Sequence, residues 1–402
     1  MEEKKLGLKS VISVSVGLVI ATSCLVSLGQ GAGTIGVTFI FAMVIACLFN
    51  MTTIASLSEL NALMPNTTGG LAQYTLACLG PFPTMISMVG GYLFCNVLSS
   101  GVEASIFAYA MGEIFHLPIP NFSYTVLVTV ILLIANLKGV DMFAKIQDAV
   151  AYLMVGSMVI MGVIGMLGLG TGKKVSQPMV LSADWKTIVS MTAVAFWLFI
   201  GAEYVIPISK DVKNARRNVP LGMFLGLASI CQGMAKMNMM PRCFKKLNKN
   251  NVPFVGVWFI SILILVFAFI SSDSSDAISF FILVGSVFWM VSYIFAHIDV
   301  LVLRHRLPKA PRSFKVPFGP VLPLVGIAGT VFMICNISTD PTERNAILLL
   351  SGAVFLALGV YSFFWIRFKM KMPVFKSVPV EKVMAMEHDM YDTIRKRRGI
   401  WR

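Results

Sequence analysis

Two carboxylates stand inside runs that are otherwise apolar. Glu203 lies in AFWLFIGAEYVIPISKDVKNARRNVP (residues 195–220), two positions after Gly201 and one turn before Pro207. Glu103 lies in GYLFCNVLSSGVEASIFAYA (91–110), about two turns after Asn96. An ionisable group at bilayer depth is costly, and where it is kept it marks an ion or substrate path. Each acid has two readings: a group that titrates during a cycle, or a permanent hydrogen-bond anchor. Asn96 either lines a cavity or bonds another helix. Glycines and small polar residues form a second constellation. In SVGLVIATSCLVSLGQGAG (15–33), Gly17 sits mid-run, and Thr22, Ser23 and Cys24 make a small polar patch. Gly29, Gly31 and Gly33 are expected to loosen the far end.

Unwinding a helix in lipid frees backbone N–H and C=O groups, each costly unless satisfied. The N-terminal end of one half-helix offers N–H groups and positive dipole to a carboxylate. The C-terminal end of another offers carbonyls to an ammonium. A zwitterionic ligand fits such a pair. The plainer reading is that small residues let helices pack closely. Two matched breaks, one beside a buried acid, favour the ligand site, and discontinuous helices at corresponding positions of two halves point to a transporter's site.

The elements that must hold these residues are membrane spans. The chain is 57% hydrophobic and 13% charged over 402 residues, with a mean hydropathy of +0.81. A soluble domain is about a quarter charged, so lipid must be the solvent. Apolar runs near the ~20 residues that cross a hydrocarbon core recur along the chain. They predict spans near 10–28, 36–57, 84–111, 123–137, 147–169, 187–208, 253–272, 277–303, 318–337 and 345–367. The fold class expected is all-α and polytopic. The alternating pattern of a membrane barrel is absent.

The net charge of +14 follows positive-inside topology rather than nucleic-acid binding. Basic residues cluster at Lys4–Lys9, Lys138–Lys145, Lys210–Arg217, Lys236–Lys249, Arg304–Lys315 and after Arg367, placing both termini in the cytoplasm. The tail 368–402 reads as a mobile or interfacial basic segment attracted to anionic lipid. The seven cysteines and four histidines suggest no disulfide framework, zinc site or metal cluster. No cofactor is expected, and no constellation of a membrane enzyme is present. The N-terminal run after Lys9 reads as an uncleaved first helix.

Charge topology also exposes a fault. Lys210–Arg217 and Lys236–Lys249 both belong on one side, yet only VPLGMFLGLASICQGMA lies between them. One crossing puts a basic loop outside, and two need about twice the residues. The stretch is re-entrant, surface-lying, or has lost a helix–loop–helix piece.

ELNALMPNTTGGLAQYTLACLGP (59–81) and FIGAEYVIPISKDVKNARRNVP (199–220) resemble loop and helix motifs of the amino acid–polyamine–organocation superfamily of permeases. NLKGVDMFAKIQD and LPKAPRSFKVPFGPVLPLVG match further loop patterns of that family. The resemblance implies a LeuT-type bundle of two inverted five-helix repeats followed by two more helices. Repeat one takes 1–169, repeat two 187–303 (shortened near 219–240), the last helices 318–367, and the tail 368–402. It implies secondary transport of amino acids or related amines by alternating access, in a multi-pass protein of a bacterial-type plasma membrane. The partners implied are a small amino-acid-like substrate and the lipid bilayer. By resemblance, Thr22, Ser23, Cys24 and Leu25 stand at the first break, and Phe199, Ile200 and Gly201 at the second. Trp197 aligns with an aromatic that caps substrate in some relatives, or else simply packs. Three departures matter. Thr22 and Cys24 replace glycines usual around the serine. The fifth span has no lysine after Lys145, which favours exchange or facilitated movement over that proton-coupling device. GMAKMNMMPRCFKKLNKNNVPF resembles the loop after the eighth helix, so an internal deletion joining near Leu227 to Gln232 is expected. The alternative function is a transport-defective remnant or substrate sensor.

Overall fold

The computed structural model describes residues 22–64, 71–138, 156–169, 184–200, 238–250, 252–271, 275–310 and 314–387, with single positions 153, 231, 234, 235 and 312 between them. Among these residues every regular element is helical. α1 (Thr22–Ile35) passes through a 3₁₀ turn at Gly36–Thr38 into α2 (Phe39–Leu63). Gly36 supplies the left-handed φ of 57° at that turn. A short α3 (Leu71–Cys78) precedes the third span, α4, which is α-helical over Pro81–Met85, π-helical over Ile86–Phe94 and α-helical over Cys95–Phe115. α5 (Asn121–Lys138), α6 (Gly156–Leu167) and α7 (Trp185–Phe196) follow. After them come α8 (Phe254–Ser271), α9 (Ser275–Arg306), α10 (Val321–Cys335), α11 (Pro341–Phe364) and α12 (Val380–Glu387).

Among the described residues, five helical stretches are long and apolar enough to cross a membrane: Ser23–Leu63, Pro81–Phe115, Phe254–Ser271, Asp276–Arg306 and Pro341–Met370. The protein is an all-α, multi-pass membrane protein. Local chemistry sets the starts and stops. Pro81 opens α4 and Pro341 opens α11, where a missing N–H costs nothing. Asp340 caps α11 by accepting the N–H of Thr342 at 3.0 Å. His116 ends α4 in the left-handed region, its N–H returning to the Gly112 carbonyl.

α9 is the central helix, packing against α2, α3, α4, α10 and α11. Its large buried side chains Phe288, Trp289 and Tyr293 meet Tyr92 of α4, Phe196 of α7 and Phe355 of α11. Contacts between helices are close where small residues allow them. A Cβ on Gly91 would collide with the Ser292 hydroxyl, and one on Gly326 with the His297 ring.

The expectation for Gly29, Gly31 and Gly33 is overturned: α1 runs unbroken through all three. Gly31 instead admits the Phe39 ring against the helix backbone. The expectation for the tail also fails for its first part. The Val378 N–H donates to Leu76 O and the Phe82 N–H to Val374 O, each at 3.1 Å, and Val378 and Val383 are buried. Gly80, at φ 92°, sits where any Cβ would lie 2.7 Å from the Lys376 carbonyl. The segment 372–383 is thus a strap docked on α3, and residues after 387 lie outside the described set.

Described parts of the loops that the charge count assigns to the cytoplasm are tied to helix ends. Asn248 and Asn250 donate to the Leu137 carbonyl at the end of α5, and Trp365 donates to Asn238 O. Buried Glu59 accepts Arg304 Nε at 2.8 Å and the Val316 N–H at 2.7 Å. The Arg312 Nε lies 3.3 Å from its other oxygen. Most of the expected shortened stretch, 219–240, lies outside the described residues, although Met234 and Met239 are buried.

Removing the carboxylate from this bracket leaves two guanidinium groups facing each other. Glu59→Ala is expected to cost about 3–5 kcal/mol, read as a large fall in thermal unfolding temperature in lipid nanodiscs, with no fall on conservative Arg312→Lys alone of comparable size. Gly80→Ala is expected to free the strap: limited proteolysis should cut within 371–387 at least several-fold faster than in the wild type, and equal cutting rates would refute its docking role.

Candidate functional site at the junction of the first and sixth spans

α7 loses helical geometry where the second break is expected. After Phe196 it tightens to a 3₁₀ turn over Trp197–Phe199, and Ile200 is extended at φ −70°, ψ 137°. Ile200 is buried and the Phe199 side chain is partly so. The Phe199 carbonyl, at the end of the helical turns, accepts the Asn50 side-chain N–H at 2.8 Å. Gly201 and Glu203 lie outside the described residues.

The four residues expected at the first break are helical and are the first described residues of α1; the chain before Thr22 lies outside the described residues. Ser23 is fully buried, Cys24 nearly so, and Leu25 is exposed. Nothing is described of the Thr22 side chain. The Ser23 N–H donates to Glu103 Oε1 of α4 at 2.9 Å. A buried backbone N–H inside a bilayer must find such a partner within the protein.

One bond joins α1 to the break in α7. Trp197 Nε1 donates to Ser23 Oγ at 2.9 Å. The indole is buried and backs onto Gly285 of α9, where a Cβ would lie 3.2 Å away. Cys95 of α4 donates to the Gly285 carbonyl at 3.1 Å, closing the far side. The indole is buried between Ser23 of α1 and Gly285 of α9.

Asn96 turns back along its own helix, donating to Tyr92 O at 2.6 Å. That carbonyl lies in the π-helical turn, whose longer register leaves backbone groups out of the ladder. Ser292 of α9 donates to the Ser87 carbonyl in the same turn at 2.8 Å. The structure therefore brings Ser23, Glu103, Trp197 and Phe199 together, while Leu25 faces outward and Asn96 serves the α4 backbone.

Asn50 and Ser27 escaped the sequence reading. Asn50 Oδ1 and Ser27 Oγ are buried with no hydrogen-bond partner among the described residues. Ser27 lies one turn beyond Ser23 on the same helix face. The signal was available: a lone Asn amid ACLFNMTT is a polar group in an apolar span. His297 and Asp299 were missed too. His297 Nδ1 pairs with the Ser56 hydroxyl at 2.8 Å, and the Thr75 hydroxyl donates to Asp299 Oδ2 at 2.7 Å. Both tie α9 to its neighbours. No group of three or more potential metal ligands occurs among the described residues.

Sequence comparison settles the family. A family profile described as amino acid permease matches residues 10–231, more than half of the chain. The chain belongs to the amino acid permease family. A second profile with the same description matches residues 228–360. The chain is 20% identical over 440 residues to the branched-chain amino acid permease BcaP of Bacillus subtilis (strain 168), covering 88% of this chain and 92% of that one. It is 28% identical over 150 residues to the BcaP of Lactococcus lactis subsp. cremoris (strain MG1363), covering 35% of this chain and 30% of that one. It is 27% identical over 133 residues to the D-serine/D-alanine/glycine transporter of Escherichia coli (strain K12), covering 32% and 28%. The last two matches thus span under a third of the relatives' own length. Membership places the chain among permeases, not enzymes.

The bond between α1 and the break in α7 can be weighed by a double-mutant cycle of Ser23→Ala and Trp197→Phe. The expected coupling is about 0.5–1.5 kcal/mol in unfolding free energy. Additive effects would mean that the indole and hydroxyl do not stabilise each other.

Proposed function

We propose that this chain moves amino acids across a membrane by alternating access, reading the ligand's charged groups at the junction of α1 and α7. The observation that carries the reading is the pairing of a buried backbone donor on α1 with a helix-end acceptor on α7. The Ser23 N–H and the Phe199 carbonyl are each held by a side chain from another span, and Trp197 ties their two segments together. Such a pair matches the opposite charges of a zwitterion. Thr22, Ser23, Cys24 and Leu25 take part through their backbone, with Phe199, Ile200 and Gly201 opposite. Trp197 forms the wall between them. Asn50 Oδ1 and Ser27 Oγ add unused polar atoms. Glu203 and Glu103 are the gating or proton-linked candidates.

The relatives named for branched-chain amino acids and for D-serine, D-alanine and glycine support small amino acids as the ligand class. Exchange or facilitated movement fits the absence of a lysine after Lys145 in the fifth span. The basic loops and the tail lie on the cytoplasmic side in this reading.

A second reading has its own support: a permease shortened by an internal deletion and impaired in turnover. The two family profiles change over at residues 228–231, inside the interval from Leu227 to Gln232 where the resemblance puts the junction, and within the stretch between the two basic loops that the charge count flags. The match to the Bacillus subtilis permease runs over 440 positions, while 88% of 402 residues is about 354, leaving about 86 positions as gaps in this chain, room for two spans of ~20 residues and their loops.

Reconstituted liposomes separate the two. Uptake of labelled L-leucine or D-serine by counterflow is expected for the wild type. It should fall by about tenfold or more in Ser23→Trp, which fills the junction. Binding without flux in the wild type, with flux restored by inserting a relative's helix pair at 228–231, selects the shortened permease. Flux unchanged in Ser23→Trp removes the site.

A further inference from the structure

The N–H that a ligand's carboxylate would seek at Ser23 is already held by a carboxylate of the protein itself. Glu103 comes from another span, 80 positions along the chain, and reaches the Ser23 N–H of α1 at 2.9 Å. Its chemistry at that point is the same as that of an amino acid's own acid group: a carboxylate on a buried backbone N–H. One N–H cannot serve two carboxylates well, and two like charges at short range in a poorly solvated site repel strongly. A ligand carrying only a carboxylate meets that repulsion in full.

We propose that Glu103 is the specificity-determining residue of this site, exchanging the Ser23 N–H for the ligand's ammonium as the ligand's carboxylate takes its place. The inference rests on the ligand reading given under the proposed function. An α-amino acid carries both charged groups on one carbon. Its carboxylate accepts the Ser23 N–H, and its ammonium donates to the released Glu103. Both exchanged contacts are charge-assisted hydrogen bonds, and no bond is lost without replacement. The zwitterion adds no net charge, so the step needs no accompanying ion. Anchoring of Ser23 Oγ by Trp197 keeps the serine in place while its N–H changes partner. A merely structural cap would stabilise α1 equally whatever charge the ligand carries.

The test compares binding of three leucine-series probes to the full-length protein in lipid nanodiscs: L-leucine, 4-methylpentanoate, which lacks the amine, and 3-methylbutylamine, which lacks the carboxylate. The D-serine series (D-serine, 3-hydroxypropanoate, ethanolamine) runs beside it. In the wild type, the amine of a series should bind better than its acid by roughly tenfold or more. Glu103→Gln removes the charge and should invert that order, gaining the acid and losing the amine. Glu103→Asp keeps the charge and should keep the wild-type order. If Glu103→Gln does not fold, the wild-type comparison and Glu103→Asp still decide: acid bound as well as amine in both overturns the proposal. Binding of the zwitterion with the same acid-to-amine preference in wild type and Glu103→Gln also overturns it, leaving the site itself standing. No binding of any of the six probes to wild type or variants removes the site, and this proposal with it.

Discussion

A backbone polar group inside a bilayer has no water to fall back on, so each one must find a partner within the protein. The junction of α1 and α7 is where that constraint presses hard, because α7 leaves the helix there. The Ser23 N–H and the Phe199 carbonyl are met by Glu103 and Asn50. The same rule recurs through the bundle. Thr125 donates to the Ala104 carbonyl, Ser105 to Ala268 O, and Cys95 to Gly285 O. Each such bond contributes only about 1 kcal/mol net, but an unmet buried group costs more than that. Small polar residues in apolar helices therefore stitch the spans together, and the π-helical turn of α4 persists because Ser292 and Asn96 take up its carbonyls.

Close packing supplies what the hydrophobic effect does not provide between helices in lipid. Gly91, Gly101, Gly326 and Gly329 each sit where a Cβ would press a neighbouring helix: against Ser292, Phe267, His297 and Phe49. At the charged end a different device is used. Glu59 gathers Arg304, Arg312 and the Val316 N–H around one carboxylate. Ion pairs of that kind stabilise little by themselves, but they specify which ends belong together. The strap at 372–383 adds backbone bonds to α3 and Phe82 on the same end.

Fold class was readable from composition and run length, since both follow from the solvent the chain must satisfy. The span expected at 277–303 is realised as Ser275–Arg306, and that at 253–272 as Phe254–Ser271. The departure of α7 from the helix was readable too, because Gly, Pro and small polar residues announce where a ladder is weak: α7 leaves the helix at Ile200. What the linear pattern does not carry is the partner. Nothing around Glu103 names Ser23, and nothing in α2 singles out Asn50 as the acceptor's mate. The motif segments beginning at Glu59 and containing Arg312 were recognisable separately, yet their meeting across some 250 positions is a tertiary fact. The glycines of α1 misled for a related reason. Glycine lowers helix propensity, but in this case a neighbouring Phe39 ring fills the space and the helix persists.

Among the described residues, the junction's ties come from α1, α2, α4, α7 and α9. A chain shortened at 228–231 therefore keeps every described contact that would hold a ligand's charged groups. Alternating access asks for something else, the rocking of one packed body against another around a fixed site. Recognition and movement draw on different parts of the sequence. Loss of a helix pair would fall on movement first, because the donor at Ser23 and the acceptor at Phe199 are set by neighbours that remain. A binding-competent but slow permease is thus the physical consequence of a deletion at that place, whereas loss of Glu103 or Asn50 would strike recognition while leaving the bundle's length intact.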